Sequence, residues 1–207
     1  MNMYTKIYIV RHGQTAMNHA KMLQGRSDTA LNETGIRQAE MTAVKLKEMG
    51  IGFDHVFSSP LVRARETAAL ISGRPAQIQV DDRLIEMDYG PYEGMDLSDP
   101  DEKIRTFFSD FVHNPAPEGM EPLHHVTERL GSFLEEIRKS HLSGNILIST
   151  HAIAMKGALE YLSPDSKGSW WSKYIGNCAV YMCEIKNGQF SVPEEVRLTD
   201  IIVQPGV

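Results

Sequence analysis

Short runs of apolar residues along this chain alternate with longer segments in which apolar residues recur every three or four positions. The short runs predict strands at residues 6–10, 55–58, 77–80 and 145–149. The first and last of these are apolar at consecutive positions, which is typical of strands buried on both faces of a parallel sheet. Residues 178–185 and 190–192 flank Asn187-Gly188 and predict a hairpin.

The longer segments have the apolar spacing of helices that bury one face. Asn32 is a suitable N-cap for the first helix and Gly50 ends it, whereas Ser59 is the expected cap of the second, with Pro60 in its first turn. Helices are predicted at residues 33–49, 61–72, 124–139 and 153–162. Strands alternating with helices indicate an α/β fold, here a three-layer α/β/α sandwich with a mostly parallel central sheet.

Residues 81–122, called the excursion below, interrupt this alternation and contain five of the chain's ten prolines. An apolar patch at Ile104, Phe107, Phe108 and Phe111 predicts one short helix within it. Inserted segments of this kind often form a lid or a wall of a substrate site. We therefore expect a single domain over residues 1–207, with a substrate-covering excursion at residues 81–122.

The formal net charge is −6, and this acidic balance argues against nucleic acid or an anionic membrane surface as a partner. No run approaches the roughly 18 apolar residues of a membrane span, and the first residues lack the pattern of a secretory signal. A cytoplasmic protein is the expectation. The two cysteines, Cys178 and Cys183, are expected to be reduced and buried.

Two of the predicted strands are followed by histidines. The run Ile7-Tyr8-Ile9-Val10 leads into Arg11-His12, and the strand at 145–149 is followed shortly by His151. Ligands of open α/β sheets bind beyond the carboxyl ends of the strands, so these side chains are expected to converge. An arginine such as Arg11 presents a planar, permanently charged fork to phosphate oxygens, which favours phosphoryl chemistry at this edge. Arg63 and Arg65 are further candidates, and spacing alone does not choose between them.

Four ordered blocks carry a family resemblance. They are Arg11-His12-Gly13 with Thr15 and Asn18, residues 58–68, residues 86–94, and Ser149-Thr150-His151-Ala152. In this order they resemble the histidine phosphatase superfamily, which includes cofactor-dependent phosphoglycerate mutases and many small phosphomonoesterases. The resemblance runs over residues 7–162 and implies a phosphoglycerate mutase-like fold.

The same resemblance assigns expected roles to residues. It implies that His12 is the nucleophile that accepts the phosphoryl group, while Arg11, Arg63 and His151 hold the phosphate oxygens. Glu86 is implied as the general acid that protonates the departing alkoxide and then activates water. Phosphate or substrate contacts are further implied for Gly13, Thr15, Asn18, Gln24 and Gly25. The scheme requires no metal and no cofactor.

Members of this family pass the phosphoryl group either to water or to a second organic acceptor. Mutases carry a paired-arginine segment after the acid, whereas residues 96–122 hold only Lys103 and Arg105 against seven acidic residues. That acidic surplus is expected to repel a phosphoglycerate. Residues 199–207 also lack the lysine-bearing tail of such mutases. We therefore expect a phosphomonoesterase that acts on a small phosphorylated metabolite.

Several alternatives stay open at this point. The chain could be a cofactor-dependent phosphoglycerate mutase, an α-ribazole phosphatase, or a non-catalytic protein that binds a phosphorylated ligand. Where many family members have Gly-Glu-Ser, this chain has Gly119-Met120-Glu121-Pro122, so the usual serine contact or cap is missing. The sequence does not fix the oligomeric state, and a homodimer is one option.

Overall fold

A computed structural model describes residues 5–140 and 142–198, and its centre is a sheet of seven strands. The strands are β1 (Thr5–Arg11), β2 (His55–Ser58), β3 (Ile78–Val80), β4 (Gly144–Thr150), β5 (Val180–Lys186), β6 (Gln189–Phe190) and β7 (Glu194–Glu195). Their order is β3-β2-β4-β1-β5-β6, with β7 also paired to β5. Strands β1 to β4 pair in parallel, whereas β5 runs antiparallel to β1, so the predicted mostly parallel sheet is confirmed.

Six α-helices lie in the described part of the chain. They are α1 (Ala16–His19), α2 (Glu33–Glu48), α3 (Val62–Ser72), α4 (Glu102–Ser109), α5 (Leu123–Ser140) and α6 (Ala152–Leu162). Helix α4 confirms the short helix predicted in the excursion, whereas the single turn α1 was not predicted. Within the described residues, no helix combines the length and the apolar character needed to cross a membrane.

The apolar strand residues divide between two cores, one on each face of the sheet. In β1, Ile7 and Ile9 join the core that contains α5 and α6, while Tyr8 and Val10 join the core that contains α2 and α3. Alternation of this kind follows from the two-residue period of a strand. Both faces of β1 are therefore covered, and the predicted α/β/α layering is confirmed.

Of the two predicted helix caps, one is confirmed and the other is wrong. The side chain of Asn32 accepts a hydrogen bond from the Gly35 amide at 2.8 Å and caps α2. Helix α3 has Leu61 as its N-cap, without a side-chain cap. The Ser59 amide still bonds to the strand residue Ser149 at 3.0 Å, so Ser59 belongs to the end of β2 and lies too far ahead of α3 to cap it.

Both cysteines are buried and unpaired, and they lie in the cores on opposite faces of the sheet. Cys183 is in β5, but Cys178 precedes that strand in a left-handed conformation with φ of 57°, which corrects the predicted strand boundary. Burial raises the pKa of each thiol to about 12. Both therefore stay protonated and serve as packing groups.

Backbone hydrogen bonds hold the excursion against the segment that follows α1. The Leu23 amide donates to Met95 at 2.8 Å, and the Gly94 amide donates back to Leu23 at the same distance. The Leu97 amide reaches Lys21, also at 2.8 Å. Residues 21–25 and 93–97 consequently lie side by side. The residues on which the mutase-tail comparison rests, 199–207, are outside the described part of the chain.

Candidate active site

The carboxyl ends of β1 and β4 bring the two predicted histidines together. The register pairs Arg11 with Thr150, and the His12 amide donates to the Thr150 carbonyl at 2.9 Å. His12 and His151 therefore lie next to each other just beyond the ends of the two paired strands. Their ring centroids are 5.1 Å apart, and both side chains are buried. The expected convergence at this edge of the sheet is a consequence of strand pairing.

The hydrogen bonds of His12 select one tautomer. Its Nδ1 lies 2.7 Å from the Gly13 carbonyl, which can only accept, so Nδ1 carries the proton. Its Nε2 accepts from Nε of Arg63 at 3.2 Å. Burial, followed by the charges of Arg63 and Arg11, holds the pKa of His12 well below its usual value. The ring is therefore neutral near pH 7, with an unprotonated Nε2.

The Arg63 side chain is fully buried behind His12. Besides its contact with His12, it donates to the carbonyls of Ser27 at 2.7 Å and Gly25 at 2.6 Å. Its neighbour on the same helix, Arg65, is exposed. Arg63 thus fixes His12 and the loop after α1 at once, with donor capacity remaining on its guanidinium.

Arg11 lines the cavity that opens in front of His12. It donates to the Ile175 carbonyl at 2.5 Å. Its Nε is buried and has no hydrogen-bond partner within the described residues. A buried donor without a partner is costly, and an anionic oxygen would satisfy it.

Glu86 lies in the loop after β3, and its buried side chain contacts the N-terminus of α6. Its Oε1 accepts from the amides of Met87 at 2.8 Å and Ala154 at 2.9 Å, and its Oε2 accepts from Ile153 at 3.2 Å. These bonds fix the orientation of the carboxyl group. Glu86, His12 and Arg11 all line the same cavity.

His151 is not among the residues that line this cavity, but its ring is adjacent to that of His12. Its Nε2 is 2.7 Å from the Ser59 hydroxyl, while its Nδ1 is buried without a partner in the described residues. Burial, then the charges of Arg63 and His12, lowers its pKa well below the usual value. Sequence reasoning missed the contact with Ser59, although Ser59 is in one of the motif blocks.

Of the five remaining predicted contact residues, two line the cavity and three lie behind its lining. Asn18 and Gln24 line the cavity, and the Nδ2 of Asn18 donates to Oε1 of Gln24 at 3.3 Å. Thr15 is fully buried, caps α1 and donates to Gln24 Oε1 at 2.7 Å. Thr15 therefore orients the lining residue Gln24.

Gly13 and Gly25 allow close backbone packing. A Cβ at Gly13 would lie 2.5 Å from the Gly35 carbonyl oxygen, and one at Gly25 would lie 2.6 Å from that of Met87. The Gly25 amide also donates to the carboxylate of Glu93 at 2.9 Å. Neither glycine lines the cavity.

The cavity in front of His12 has a volume of about 690 Å³. Tyr89, Phe108, Phe111, Trp171 and Tyr174 supply its aromatic wall. None of the seven acidic residues of 96–122 lines it, so the expected electrostatic repulsion of a phosphoglycerate is not found at this wall. Glu86 is its one acidic lining residue among those described, against the cations Arg11, Arg105, Lys156 and Lys173.

Sequence reasoning missed Tyr89 and Lys156 as lining residues. Tyr89 lies in the motif block of residues 86–94, and Lys156 follows His151 by little more than one helical turn. That spacing is the signal that could have found Lys156. Within residues 5–140 and 142–198, no group of three or more His, Cys, Asp or Glu side chains is arranged to hold a metal ion.

A family model described as histidine phosphatase superfamily (branch 1) matches residues 7–196. Phosphoserine phosphatase 1 of Hydrogenobacter thermophilus is 31% identical over 88% of this chain and 89% of its own length. The uncharacterized phosphatase PhoE of Bacillus subtilis is 33% identical over 77% of this chain and 78% of its own. The crystal structure of phosphoserine phosphatase from Entamoeba histolytica, in complex with 3-phosphoglyceric acid, superposes with a TM-score of 0.80 at 23% identity. The superposition covers 96% of this chain and 100% of the Entamoeba chain, and this similarity supports the fold. The chain belongs to branch 1 of the histidine phosphatase superfamily.

Proposed function

We propose that the chain hydrolyses a phosphomonoester of a small metabolite in two steps, through a phosphohistidine formed at His12. The observation that carries this proposal is the unprotonated Nε2 of His12, held by Arg63 beside a cavity that Glu86 and Arg11 also line. The chain is a phosphoric monoester hydrolase of the histidine phosphatase type. The relative named phosphoserine phosphatase supports a small phosphorylated metabolite as the substrate.

In the first step, Nε2 of His12 attacks phosphorus and the bond from phosphorus to the ester oxygen breaks. Glu86, carrying a proton, gives it to the departing alkoxide. The charges of Arg11 and Arg63 stabilise the equatorial oxygens of the transferring group, and Arg63 shifts its Nε–H from the ring to one of them. The transferring group binds against the His12 ring, deeper than the cavity wall, so Nδ1 of the adjacent His151, which has no partner among the described residues, offers a further contact to these oxygens.

In the second step, the Glu86 carboxylate takes a proton from water as the water oxygen attacks the phosphohistidine. The nitrogen–phosphorus bond breaks, inorganic phosphate leaves and Glu86 is protonated again. The two steps balance without a metal or a redox partner. Water is the acceptor, so phosphate release is the expected reaction, and interconversion of phosphoglycerates is the alternative.

Phosphate release from an aryl phosphate tests the roles of His12 and Glu86. We expect His12→Ala to lower kcat/KM by at least about 10³-fold, since the nucleophile is lost. Glu86→Gln should lower it by roughly 10²- to 10⁴-fold, and denaturation of that variant at alkaline pH, where a phosphohistidine is stable, should preserve labelled phosphoprotein when the leaving group needs no proton. The exposed His125→Ala is the control and should behave as the parent. Unchanged activity of His12→Ala, or phosphoglycerate interconversion faster than phosphate release, would contradict the proposal.

A further inference from the structure

Lys156 is a positive charge of the cavity that the proposed reaction does not use. It lies on α6, whose first turn holds the Glu86 carboxyl group, and it lines the same cavity as His12. Among the described residues, no hydrogen bond joins it to His12, Glu86 or Arg63, so its ammonium is left to contact another part of a bound substrate. Such a position is suited to selecting the substrate and not to breaking the bond.

The Lys156 ammonium makes no ion pair within the described residues. Nζ donates to the Trp171 carbonyl at 2.7 Å and lies 4.9 Å from the centroid of the Phe111 ring. Within the described residues, no carboxylate is recorded within 4.0 Å of it. An ammonium has three N–H donors, and the one hydrogen bond to Trp171 uses only one.

The other cations of the cavity wall are held differently. Lys173 pairs with Glu195 at 3.4 Å and lies over the Trp170 ring. Arg105 is 62% exposed and donates to the Pro100 carbonyl at 3.0 Å. Arg11 belongs to the phosphate end. Apart from Arg11, Lys156 is therefore the partly buried cation that lines the cavity without an ion-pair partner among the described residues.

We propose that Lys156 binds a carboxylate on the alcohol part of the substrate, so that the preferred substrates are phosphomonoesters that also carry a carboxylate. This inference rests on the proposed function. A single ammonium balances one negative charge, which suits a carboxylate, whereas a second phosphate dianion is better matched by a guanidinium fork. The aromatic side chains around it exclude water and strengthen such an ion pair.

The protonation of Lys156 is consistent with this role. Burial, followed by the charge of Arg11, lowers the pKa of Lys156 to about 8, while Glu86 opposes the shift. The ammonium is therefore largely charged at pH 7. An arriving carboxylate would stabilise that charge.

Two substrates of the same carbon skeleton test the inference. 3-Phosphoglycerate carries a carboxylate where glycerol 3-phosphate carries a hydroxymethyl group. We expect the parent protein to prefer 3-phosphoglycerate in kcat/KM by about 10- to 100-fold, the range of a charge-assisted hydrogen bond. Lys156→Met should bring the ratio close to one, mainly by raising KM for 3-phosphoglycerate, and Lys156→Arg should retain most of it.

Lys103→Met is the matched control, because it removes the same charge from an exposed helix position that does not line the cavity. It should leave the preference unchanged. A parent protein without the preference, or a Lys156→Met variant that keeps it, would overturn the inference. A stronger preference for fructose 1,6-bisphosphate than for 3-phosphoglycerate would overturn the choice of a carboxylate. Because glycerol 3-phosphate turnover depends on His12 and not on the proposed ion pair, these results are separable from failure of the proposed hydrolysis.

Discussion

Arg63 and Arg65 lie two positions apart on α3, yet only Arg63 is buried against His12. A lysine at position 63 keeps one charge but cannot bond to His12, Gly25 and Ser27 together. We expect Arg63→Lys to lower kcat/KM on an aryl phosphate by roughly 10²-fold, comparable with the loss of one transition-state donor.

Arg65→Lys is the control for Arg63→Lys, and steady-state kinetics of both variants check the expectation. Their circular dichroism spectra should match that of the parent. Equal activity of the two variants would remove Arg63 from the site.

For individual residues, position within the ordered motif blocks identified the residues of the site better than residue type alone. The pattern around Arg63 selected it over Arg65, and the structure buries the selected residue. Motif order did not identify Lys156, because its contacts, Phe111 and Trp171, are distant from it in sequence. Only its spacing from His151 on α6 is a local signal. Ser59 was misread as a helix cap because its contact with His151 depends on the pairing of β2 with β4.

Between elements, Gly13 packs closely against Gly35 in α2. Because a Cβ at Gly13 would lie 2.5 Å from a backbone oxygen, α2 would have to move. We expect Gly13→Ala to lower the free energy of unfolding by about 1–3 kcal/mol, as other overpacked positions do. Gly52→Ala, with no atom within 4 Å of the added Cβ, is the control in urea denaturation. Equal effects of the two substitutions would show that the close approach is not needed.

Helix α5 supports the segment that bears Glu86 through one arginine. Arg129 donates to the carbonyls of Arg83 at 2.7 Å and Ile85 at 2.6 Å, and it pairs with Glu121 at 2.8 Å. Glu121 in turn accepts from the Asp88 amide at 3.1 Å. The segment 119–122, which departs from the family pattern, therefore keeps an acidic residue that anchors the loop around Glu86.

Removal of this arginine is expected to be costly, because two carbonyls lose their donor and Glu121 loses the shorter of its two ion pairs. Arg129→Met should lower the free energy of unfolding by about 2–4 kcal/mol and should also lower kcat. Arg138→Met on the same helix breaks a more exposed pair with Glu135 and should cost less than about 1 kcal/mol. Thermal and urea unfolding of both variants measure the difference. Similar losses for the two would refute the support role of Arg129.

The elements were predictable wherever one local pattern decides them. Runs of consecutive apolar residues placed β1 and β4, and the 3.6-residue period placed α2 and α5, each within one residue of its observed ends. The path of the excursion was not predictable, because it is fixed by backbone bonds between residues 93–97 and 21–25. Such pairing leaves no periodic signal in either segment.

For the whole molecule, the two buried histidines predict how stability changes with pH. The folded-state pKa of His12 and of His151 lies well below 6.5, the ordinary value that the unfolded chain approaches. As the pH falls below that value, the unfolded chain binds protons that the folded chain does not. The free energy of unfolding should therefore fall by about 1.4 kcal/mol per pH unit for each histidine.

Chemical denaturation between pH 7.5 and pH 5.5 checks this slope, a window that lies above the ordinary carboxyl range. His12→Asn should remove about half of it, whereas His125→Ala should leave it unchanged. A flat profile across this window in the parent would contradict the burial of neutral rings.

The pairing of Arg11 with Thr150 also bears on how this scaffold diversifies. The distance between the two histidine rings is set by strand register and does not depend on any loop. Residues 97–111, by contrast, supply much of the cavity wall without taking part in that register. Recombination or design that exchanges this wall alone would change which alcohol is accepted, while the phosphoryl-transfer geometry is inherited intact.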